Sequence, residues 1–583
     1  MLTDTSAVAA ERTPSYYRWA PWFLVLLVLA MTLPGTASLP LVDRDEPRFA
    51  TATREMVERS DWVIPTFNGQ YRFDKPVLTY WLMRIGYSVF GFTEFGARLH
   101  AIAATIALVL VTWWMGRRWF GERVGFLAGI MLASCLQVFI HGRLALADMP
   151  MIACVALACL ALRERLDEDD GTRWYQSRWW WLLYLAIGFG FLAKGPIVFA
   201  VPVLALILFR AVLWRKPLAW RGLAIAPGLG LALAIVGAWG IPALIETHGL
   251  FWKVGMGEHV VQRGFEKFNG RGYSPFFYLA TAPMSLFPWI AFIAFLPAVF
   301  KNFWSERVAW LTSWLIAPYI IFTAYATQLP HYVLPAFPAL FTLLALGLTD
   351  HEEHWPCVGR RVAWTFLFVV GLALVAGFAL VRTAELPAEI EPLRDGLSAM
   401  LIVLMGLVLG ALAFLVHRAW ANGIAAVAVV AVVFGGMHMG DRLRRTSLTA
   451  PAQFWARALP ANVHCVGAGF SEPSLVFYSH RHWEFPQDVN ELGKALTQPG
   501  DLVVVTLVDE VDPLQYFKAG LAKRFGKIPK PVLYHPVSPE ISTLVNRYAE
   551  GNWEPHDIAG FNLGRTRWQH VRIWIRHAPL VLN

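Results

Sequence analysis

Uncharged apolar runs recur along this chain from Trp19 to Met437, many of them close to the ~20 residues a helix needs to cross the hydrocarbon core of a bilayer. In lipid the backbone must satisfy its own hydrogen bonds, so a chain of this kind is confined to a bundle of helices. The windows fall at 19–39, 99–116, 124–140, 149–162, 179–193, 195–209, 222–245, 274–300, 308–327, 332–349, 362–381, 396–416 and 419–438, and they predict about thirteen transmembrane helices. Composition agrees: 16% of residues are charged, against roughly 25% in soluble domains, so a single soluble globule is excluded.

The formal charge of +9 first serves orientation and lipid contact in a membrane protein, and no nucleic-acid partner is expected. Cys135, Cys154, Cys159, Cys357 and Cys465 show neither metal-ligand pairing nor a disulfide framework. The first apolar run lacks a small-residue cleavage pattern, which predicts a retained anchor. Cytoplasmic ends of spans keep Lys and Arg. With residues 1–18 cytoplasmic, the inner loops hold Arg117, Arg118, Arg123, Arg163, Arg165, Arg173, Arg178, Arg210, Arg215, Lys216, Arg221, Lys301, Arg307, Arg360 and Arg361. That assignment requires the half-apolar stretch 77–92, interrupted by Arg84, to lie at the outer interface as an amphipathic segment rather than cross.

Two outer soluble pieces follow. One is the first loop, 43–95, within the membrane domain 19–440. The other is a periplasmic α/β domain at 441–583, with strands expected at 463–466, 474–478, 502–507 and 570–575 and a helix over 488–496.

The first loop opens Val42-Asp43-Arg44-Asp45-Glu46-Pro47-Arg48-Phe49, with three carboxylates directly after a span. Such residues can simply cap and solvate a helix end. A second outer acid, Asp148, is flanked by apolar sequence on both sides, and a carboxylate at that depth faces a polar cavity or a cationic partner. Arg72, Asp74 and Lys75 precede Pro76, Lys194 stands in the Ala193-Lys194-Gly195-Pro196 break between two spans, and His248, Lys253, Glu258, His259, Arg263, Lys267 and Arg271 crowd a later loop. Singly, each reads as a snorkelling side chain. Together they propose an anion site beside carboxylates, and broken helices of the Lys194 kind recur where substrate is bound. His331 and Tyr332 enter a span through Gln328-Leu329-Pro330, where an aromatic belt is the plainer reading. A metal site from Asp74, Glu258 and His259, for zinc or a harder cation such as magnesium, is chemically conceivable without any tight ligand spacing to support it. No Walker loop, Gly-x-Ser-x-Gly turn or paired-cysteine motif is present, which removes nucleotide-driven pumps and the familiar soluble hydrolases.

The pattern Arg44-Asp45-Glu46-Pro47-Arg48-Phe49-Ala50, followed by Arg54-Glu55-Met56, Asp61-Trp62, Pro65, Asn68-Gly69, Lys75-Pro76, Tyr80-Trp81 and Ala97-Arg98-Leu99, resembles bacterial membrane glycosyltransferases of the GT-C class. Within that class it looks most like the aminoarabinose transferases of lipid A and their relatives, which are related to protein O-mannosyltransferases. Similarity continues through Asp148, Lys194-Gly195-Pro196, Glu258-His259 with Arg263, and Leu329-Pro330-His331-Tyr332-Val333-Leu334-Pro335. The resemblance implies a bundle of about thirteen helices with a periplasmic α/β domain, in the bacterial inner membrane. It also implies a polyprenyl-phosphate sugar donor, 4-amino-4-deoxy-L-arabinose as the sugar, and lipid A, another envelope glycolipid or a protein as acceptor. By position it makes Asp45 and Asp148 the essential acids and Lys75, Arg263 and Tyr332, with Lys194, the contacts to the lipid phosphate. Glu46, Arg48, Arg72 and His331 are then expected to face sugar or acceptor, and Asp74 with His259 to hold a metal if one is used. Two departures stand out: Asp74-Lys75-Pro76 replaces the usual Glu-Lys-Pro, and Gln328 replaces a common Lys before Leu-Pro.

Two other classes fit less well. A secondary transporter predicts related halves and midplane charge, whereas here the charges cluster at one face. A non-catalytic envelope sensor leaves the acid and base groupings without a purpose.

Overall fold

The computed structural model describes residues 15–168, 172–214, 220–262, 274–349, 357–383, 391, 393–416, 418–448, 462–513, 515, 533–534, 539–550 and 553–577. The chain opens with α1 (Ala20–Thr32), α2 (Glu46–Glu58), α3 (Leu78–Phe90), α4 (Glu94–Phe120), α5 (Glu122–Ala133), α6 (Leu136–His141), α7 (Asp148–Asp167), α8 (Arg178–Lys194) and α9 (Ile197–Leu208). Among the described residues seven helices are long and apolar enough to cross a membrane: Glu94–Phe120, Trp220–Glu246, Glu306–Ala324, Pro330–Thr349, Val358–Thr383, Leu393–Leu412 and Trp420–Thr446. An eighth arises if Phe277–Ser285 and Trp289–Asn302, bent by 115° against each other, form one broken span. The protein is a multi-pass membrane protein, but the count of thirteen is not reached by length and composition. The expected windows at the bundle centre become helices that are short, such as the 12 residues of α5 and of α9, or charged at both ends, as in α7.

The core is one continuous apolar cluster in which α7 packs against α8, α4 and α9. Both ends of α7 carry ionic ties. At its C-terminal end Arg118 and the Trp119 indole donate to Glu164 at 2.7 and 2.6 Å. Arg163 pairs with Asp167 at 2.6 Å and Glu306 at 3.3 Å, and Arg165 donates to the Gly222 carbonyl at 2.9 Å. These buried guanidinium and carboxylate groups are tolerated because each finds a partner.

The expectation for 77–92 holds in shape. The 13 residues of α3 span about 20 Å, too short for a bilayer core of about 30 Å. Tyr80, Met83 and Tyr87 are buried on one side while Ile85, Val89 and Phe90 are exposed on the other. Between α2 and α3 a small hairpin pairs β1 (Thr66–Phe67) with β2 (Gln70–Tyr71) antiparallel. Its turn, Asn68-Gly69, has φ of 57° and 75°, the left-handed pair that tight hairpins require and this dipeptide accepts. Glu55 accepts from the Thr66 hydroxyl at 2.5 Å and from the Asn68 N–H at 2.8 Å, fixing the hairpin to α2.

The C-terminal part is a sheet with β3 (His464–Ala468), β4 (Leu502–Val511), β7 (Arg567–Arg576) and β6 (Glu554–Asn562) in that order, while β5 (Leu533–Tyr534) pairs with the end of β4. β3 and β4 are parallel, with Cys465 opposite Val503, and the other neighbours are antiparallel. Strand alternation sends Cys465, Val503, Val505 and Ile573 to one face and Val466 and Val504 to the other, where Leu492 and Leu496 of the helix Val489–Leu496 pack on them. The helix Val489–Leu496 is capped by Asp488, whose carboxylate accepts from Asn490 and Glu491 N–H at 2.8 Å, as its sequence predicts. The stretch 474–478, expected as a strand, is instead the helix Pro473–Ser479. Pro473 occupies its first turn, where a missing N–H costs nothing, and burial of all seven residues removes the one-sided pattern that would have distinguished it.

Candidate functional site at the first-loop end of the bundle

The antiparallel pair α7 and α8 brings Asp148, first residue of α7, to Lys194, last residue of α8. A carboxylate at a helix N-terminus and an ammonium at a helix C-terminus each complement the local dipole. Their ion pair is 2.5 Å long and largely buried. Gly195 ends α8 at φ 84°, a conformation glycine adopts without strain, and Pro196 follows, so the break read in the sequence is a true helix end that presents Lys194. His331, in the 3₁₀ turn Pro330–Ala336, places Nε2 3.8 Å from Asp148, and the Lys194 ammonium lies 5.5 Å from the Tyr332 ring centre. His141, at the end of α6, stacks on His331 with ring centres 4.6 Å apart and holds the Gln137 carbonyl through Nδ1 at 3.0 Å. The sequence reading did not place His141 in the site; an imidazole closing an apolar helix was its only signal.

Asp45 stands at the N-cap position of α2, but its exposed carboxylate makes no capping hydrogen bond. Arg48, Arg72 and Lys194 all lie within electrostatic reach of it. Burial, then the neighbouring Arg72, pull the Arg48 guanidinium below its ordinary value. Arg72 is buried, with Nε donating to the Tyr80 hydroxyl at 3.0 Å, an ion pair to Asp74 at 3.1 Å and its guanidinium 5.0 Å from the Phe49 ring centre. Lys75 follows with its ammonium 3.0 Å from the Asp74 carbonyl.

Glu46 has a different environment. Its oxygens accept from Arg98 Nε and Nη2 at 2.8 and 2.7 Å, from Val42 N–H at 2.7 Å and from Ala145 N–H at 2.6 Å, and side-chain exposures of 1% for Glu46 and 0% for Arg98 exclude water. Arg98 spends its remaining donors on the Thr36, Leu39 and Pro40 carbonyls. Glu46 therefore ties the first loop to α4 and to the chain before α7. Gln328, where a lysine was noted as commoner, accepts from the Ser274 N–H at 3.0 Å.

The structure thus brings together Asp45, Arg48, Arg72, Asp74 and Lys75 from the first loop, and Asp148, Lys194, His331 and Tyr332 from the bundle. Arg263 lies outside the described residues, and His259 falls in the π-helical segment Phe251–Gln262, where its side chain is not described. For a metal, the Asp74 carboxylate is already paired with Arg72, and among the described residues no three His, Cys, Asp or Glu side chains converge as a ligand set.

A helical membrane bundle with a small mixed sheet, its acids and bases gathered at one end, is a fold shared with solved GT-C proteins. Solved structures with this fold include ArnT from Cupriavidus metallidurans in the apo state, with TM-score 0.69, 20% identity and coverage of 85% of this chain and 93% of that one. The same protein bound to undecaprenyl phosphate gives 0.70, 21%, 90% and 99%. Residues 74–239 match the family described as dolichyl-phosphate-mannose-protein mannosyltransferase. The undecaprenyl phosphate-alpha-4-amino-4-deoxy-L-arabinose arabinosyl transferase of Aeromonas salmonicida is 31% identical over 373 residues, 62% of this chain and 66% of that one. Its counterpart in Yersinia enterocolitica is 32% identical over 366 residues, 60% and 64%. The aligned part thus spans just under two thirds of the length of these curated relatives. In sequence the aligned part of the chain is similar to the bacterial aminoarabinose transferases, and in fold to ArnT, in keeping with the resemblance carried by the first-loop pattern.

Proposed function

We propose that this protein is an integral-membrane glycosyltransferase that moves a sugar from a polyprenyl-phosphate donor to an extracytoplasmic acceptor. The observation that carries the reading is the Asp148–Lys194 ion pair set beside the open carboxylate of Asp45 and the cations Arg48, Arg72 and Lys75. Similarity to transferases named for undecaprenyl phosphate-alpha-4-amino-4-deoxy-L-arabinose supports that lipid-linked aminosugar as donor, and lipid A is the acceptor proposed with it.

The reaction is displacement at the anomeric carbon. An acceptor oxygen forms the new bond, the bond to the phosphate oxygen breaks, and its electron pair leaves with the polyprenyl phosphate. Such a leaving group needs its charge neutralised rather than a proton, and cations in a water-poor pocket do this best. Lys194 and Lys75 fill that role, with Tyr332 beside Lys194 and Arg263 added from the later loop. Asp148 keeps Lys194 charged and aimed. Asp45, with no competing salt bridge among the described residues, is the carboxylate free to take a proton from a hydroxyl acceptor. Toward an acceptor that is already an anionic phosphate, it orients the sugar instead. Arg48, Arg72 and His331 line the remaining walls, toward sugar and acceptor.

Orientation belongs to the same reading. An outward-facing site is supported by the arginines at the opposite end, Arg117, Arg118, Arg163 and Arg165, as expected of a cytoplasmic face, and the inner membrane is proposed with it. On that basis residues 1–18 are cytoplasmic and 441–583 form a periplasmic domain.

The test is transfer by the purified protein from a polyprenyl-phosphate aminoarabinose donor to lipid A. Asp45→Asn is expected to lower turnover by about 10²-fold or more with the protein still folded; wild-type turnover in that variant removes Asp45 from the mechanism. A second reading, a protein acceptor, is favoured by the mannosyltransferase family match over residues 74–239. Mass spectrometry of lipid A and of envelope glycoproteins, with and without the protein, separates the two.

A further inference from the structure

The helix Pro473–Ser479 of the C-terminal sheet unit reaches back onto the chain that leads into α2. Ser474 donates through its backbone N–H and its hydroxyl to the two oxygens of Asp43, at 2.9 and 2.8 Å. The Tyr478 hydroxyl accepts from the Leu41 N–H at 2.9 Å and donates to Glu94 at 3.1 Å. Arg54 donates from Nη1 to the Phe477 carbonyl at 2.7 Å and from Nη2 to the Val476 carbonyl at 3.2 Å, satisfying carbonyls that the short helix leaves free at its end. Further along, the Asn68 side chain and the Trp483 backbone exchange two hydrogen bonds, at 2.6 and 2.9 Å. Glu472, just ahead of the helix, is itself buried and held by Arg565.

These contacts bracket one short stretch. Leu41 and Asp43 precede Asp45 by four and two residues, and Arg54 lies on the last turns of the helix that Asp45 begins. From the membrane side, Glu46 pins the same turn through Arg98 and Ala145. The Asp45 carboxylate, which makes no cap bond of its own, therefore owes its place to groups on either side of it rather than to its own contacts.

We propose that the helix Pro473–Ser479 is a clamp that sets the pose of the Asp45 turn, with Ser474 and Tyr478 as positioning residues for the transfer reaction. The catalytic part of this inference rests on the glycosyltransferase reading given above; the clamp itself does not. The C-terminal unit then belongs to the catalytic apparatus through the hold it keeps on the Asp45 turn. Nothing in the local sequence of the first loop supplies these bonds, and their two halves are separated by more than four hundred residues.

The experiment uses the full chain in nanodiscs. Ser474→Ala deletes one bond to Asp43, Ser474→Thr retains the hydroxyl, and Tyr478→Phe deletes the tie to Leu41 and Glu94. A displacement of about 1 Å at a reacting group costs up to about 10²-fold. The expected result for Ser474→Ala and for Tyr478→Phe is therefore a fall in kcat of about tenfold or more with an unchanged KM for donor, and near wild-type kcat for Ser474→Thr. Amide hydrogen exchange over residues 41–50 reads the clamp without reference to activity, and should rise in the two deletion variants only. Unchanged exchange in both Ser474→Ala and Tyr478→Phe overturns the clamp. Raised exchange with kcat unchanged overturns its catalytic role. A wild-type protein that transfers no sugar defeats the functional reading and leaves the exchange result to decide the clamp alone.

Discussion

Glu46 offers the sharpest separation of a structural acid from a catalytic one, because it stands next to Asp45 and yet is almost wholly enclosed. Its removal by Glu46→Ala leaves the Arg98 guanidinium, 0% exposed, without its ion-pair partner. Breaking a buried pair from one side in this way costs about 3–5 kcal/mol. The substitution also strands the Val42 and Ala145 N–H groups, each worth about 1–3 kcal/mol when buried without a partner. The sum starts at roughly 5 kcal/mol, comparable with the whole net stability of about 5–15 kcal/mol expected for a folded domain. The variant should accumulate poorly in the membrane and unfold far earlier than wild type when heated in one detergent, with tryptophan fluorescence as the readout. Glu46→Gln, which keeps an acceptor oxygen of the same shape, should fall between the two. A double-mutant cycle with Arg98→Ala should return a coupling of about 2–3 kcal/mol. If Glu46→Ala unfolds like wild type but no longer transfers sugar, the carboxylate is addressed to substrate and the reasoning from burial is refuted.

Two further outcomes follow from the same geometry. Lys194→Met leaves Asp148 buried without its ammonium partner, so it should destabilise the protein by about 3–5 kcal/mol in thermal unfolding, and Asp148→Asn added to it should recover part of that loss; no recovery in the double variant contradicts a direct pair. Asp43 is raised to about 7 by burial and by neighbouring Glu472, against the opposing pull of Ser474 and Arg565. The folded junction therefore holds a proton that the unfolded chain gives up near its ordinary value of 3.8, and stability should decline as pH rises from about 4 to about 7, then level off. Exchange protection of residues 473–479 measured across that range should show this slope in wild type and lose it in Asp43→Asn; an identical slope in both removes Asp43 as its source.

Much of the bundle was legible because lipid forbids most alternatives: long apolar runs can only be helices, and a charge among them must have a partner. That reasoning located Asp148 and Lys194 correctly relative to each other, since each breaks an apolar stretch at the same end of the bundle. It could not rank Asp45 against Glu46. Spacing along the chain is identical in kind for both, and the difference lies in Arg98, some fifty residues away, which claims Glu46 and not Asp45. Several motif residues that carried the family resemblance turn out to be joints rather than chemistry: Arg54 holds carbonyls of the C-terminal unit, Glu55 holds the hairpin, and Asn68 holds Trp483. The helix Pro473–Ser479 was misread as a strand because Ser-Leu-Val-Phe-Tyr suits a pleated surface in composition, while its true form is decided by Pro473 and by burial on every side. Crossing number was the least legible quantity, since helices enclosed by other helices can be short or charged at their ends without penalty from lipid.

If the protein takes the lipid-linked donor proposed above, the moorings of α7 bear on how that donor gains entry. A rod fastened to α8 at one end, and to α4, the helix Glu306–Ala324 and Gly222 at the other, cannot piston along its axis or swivel without parting ionic contacts at both ends. Compliance is easier at the periphery, where most of the helix Val358–Thr383 is left unburied by the rest of the protein. On the transferase reading, loading and release then fall to the rim of the molecule rather than to its tied centre.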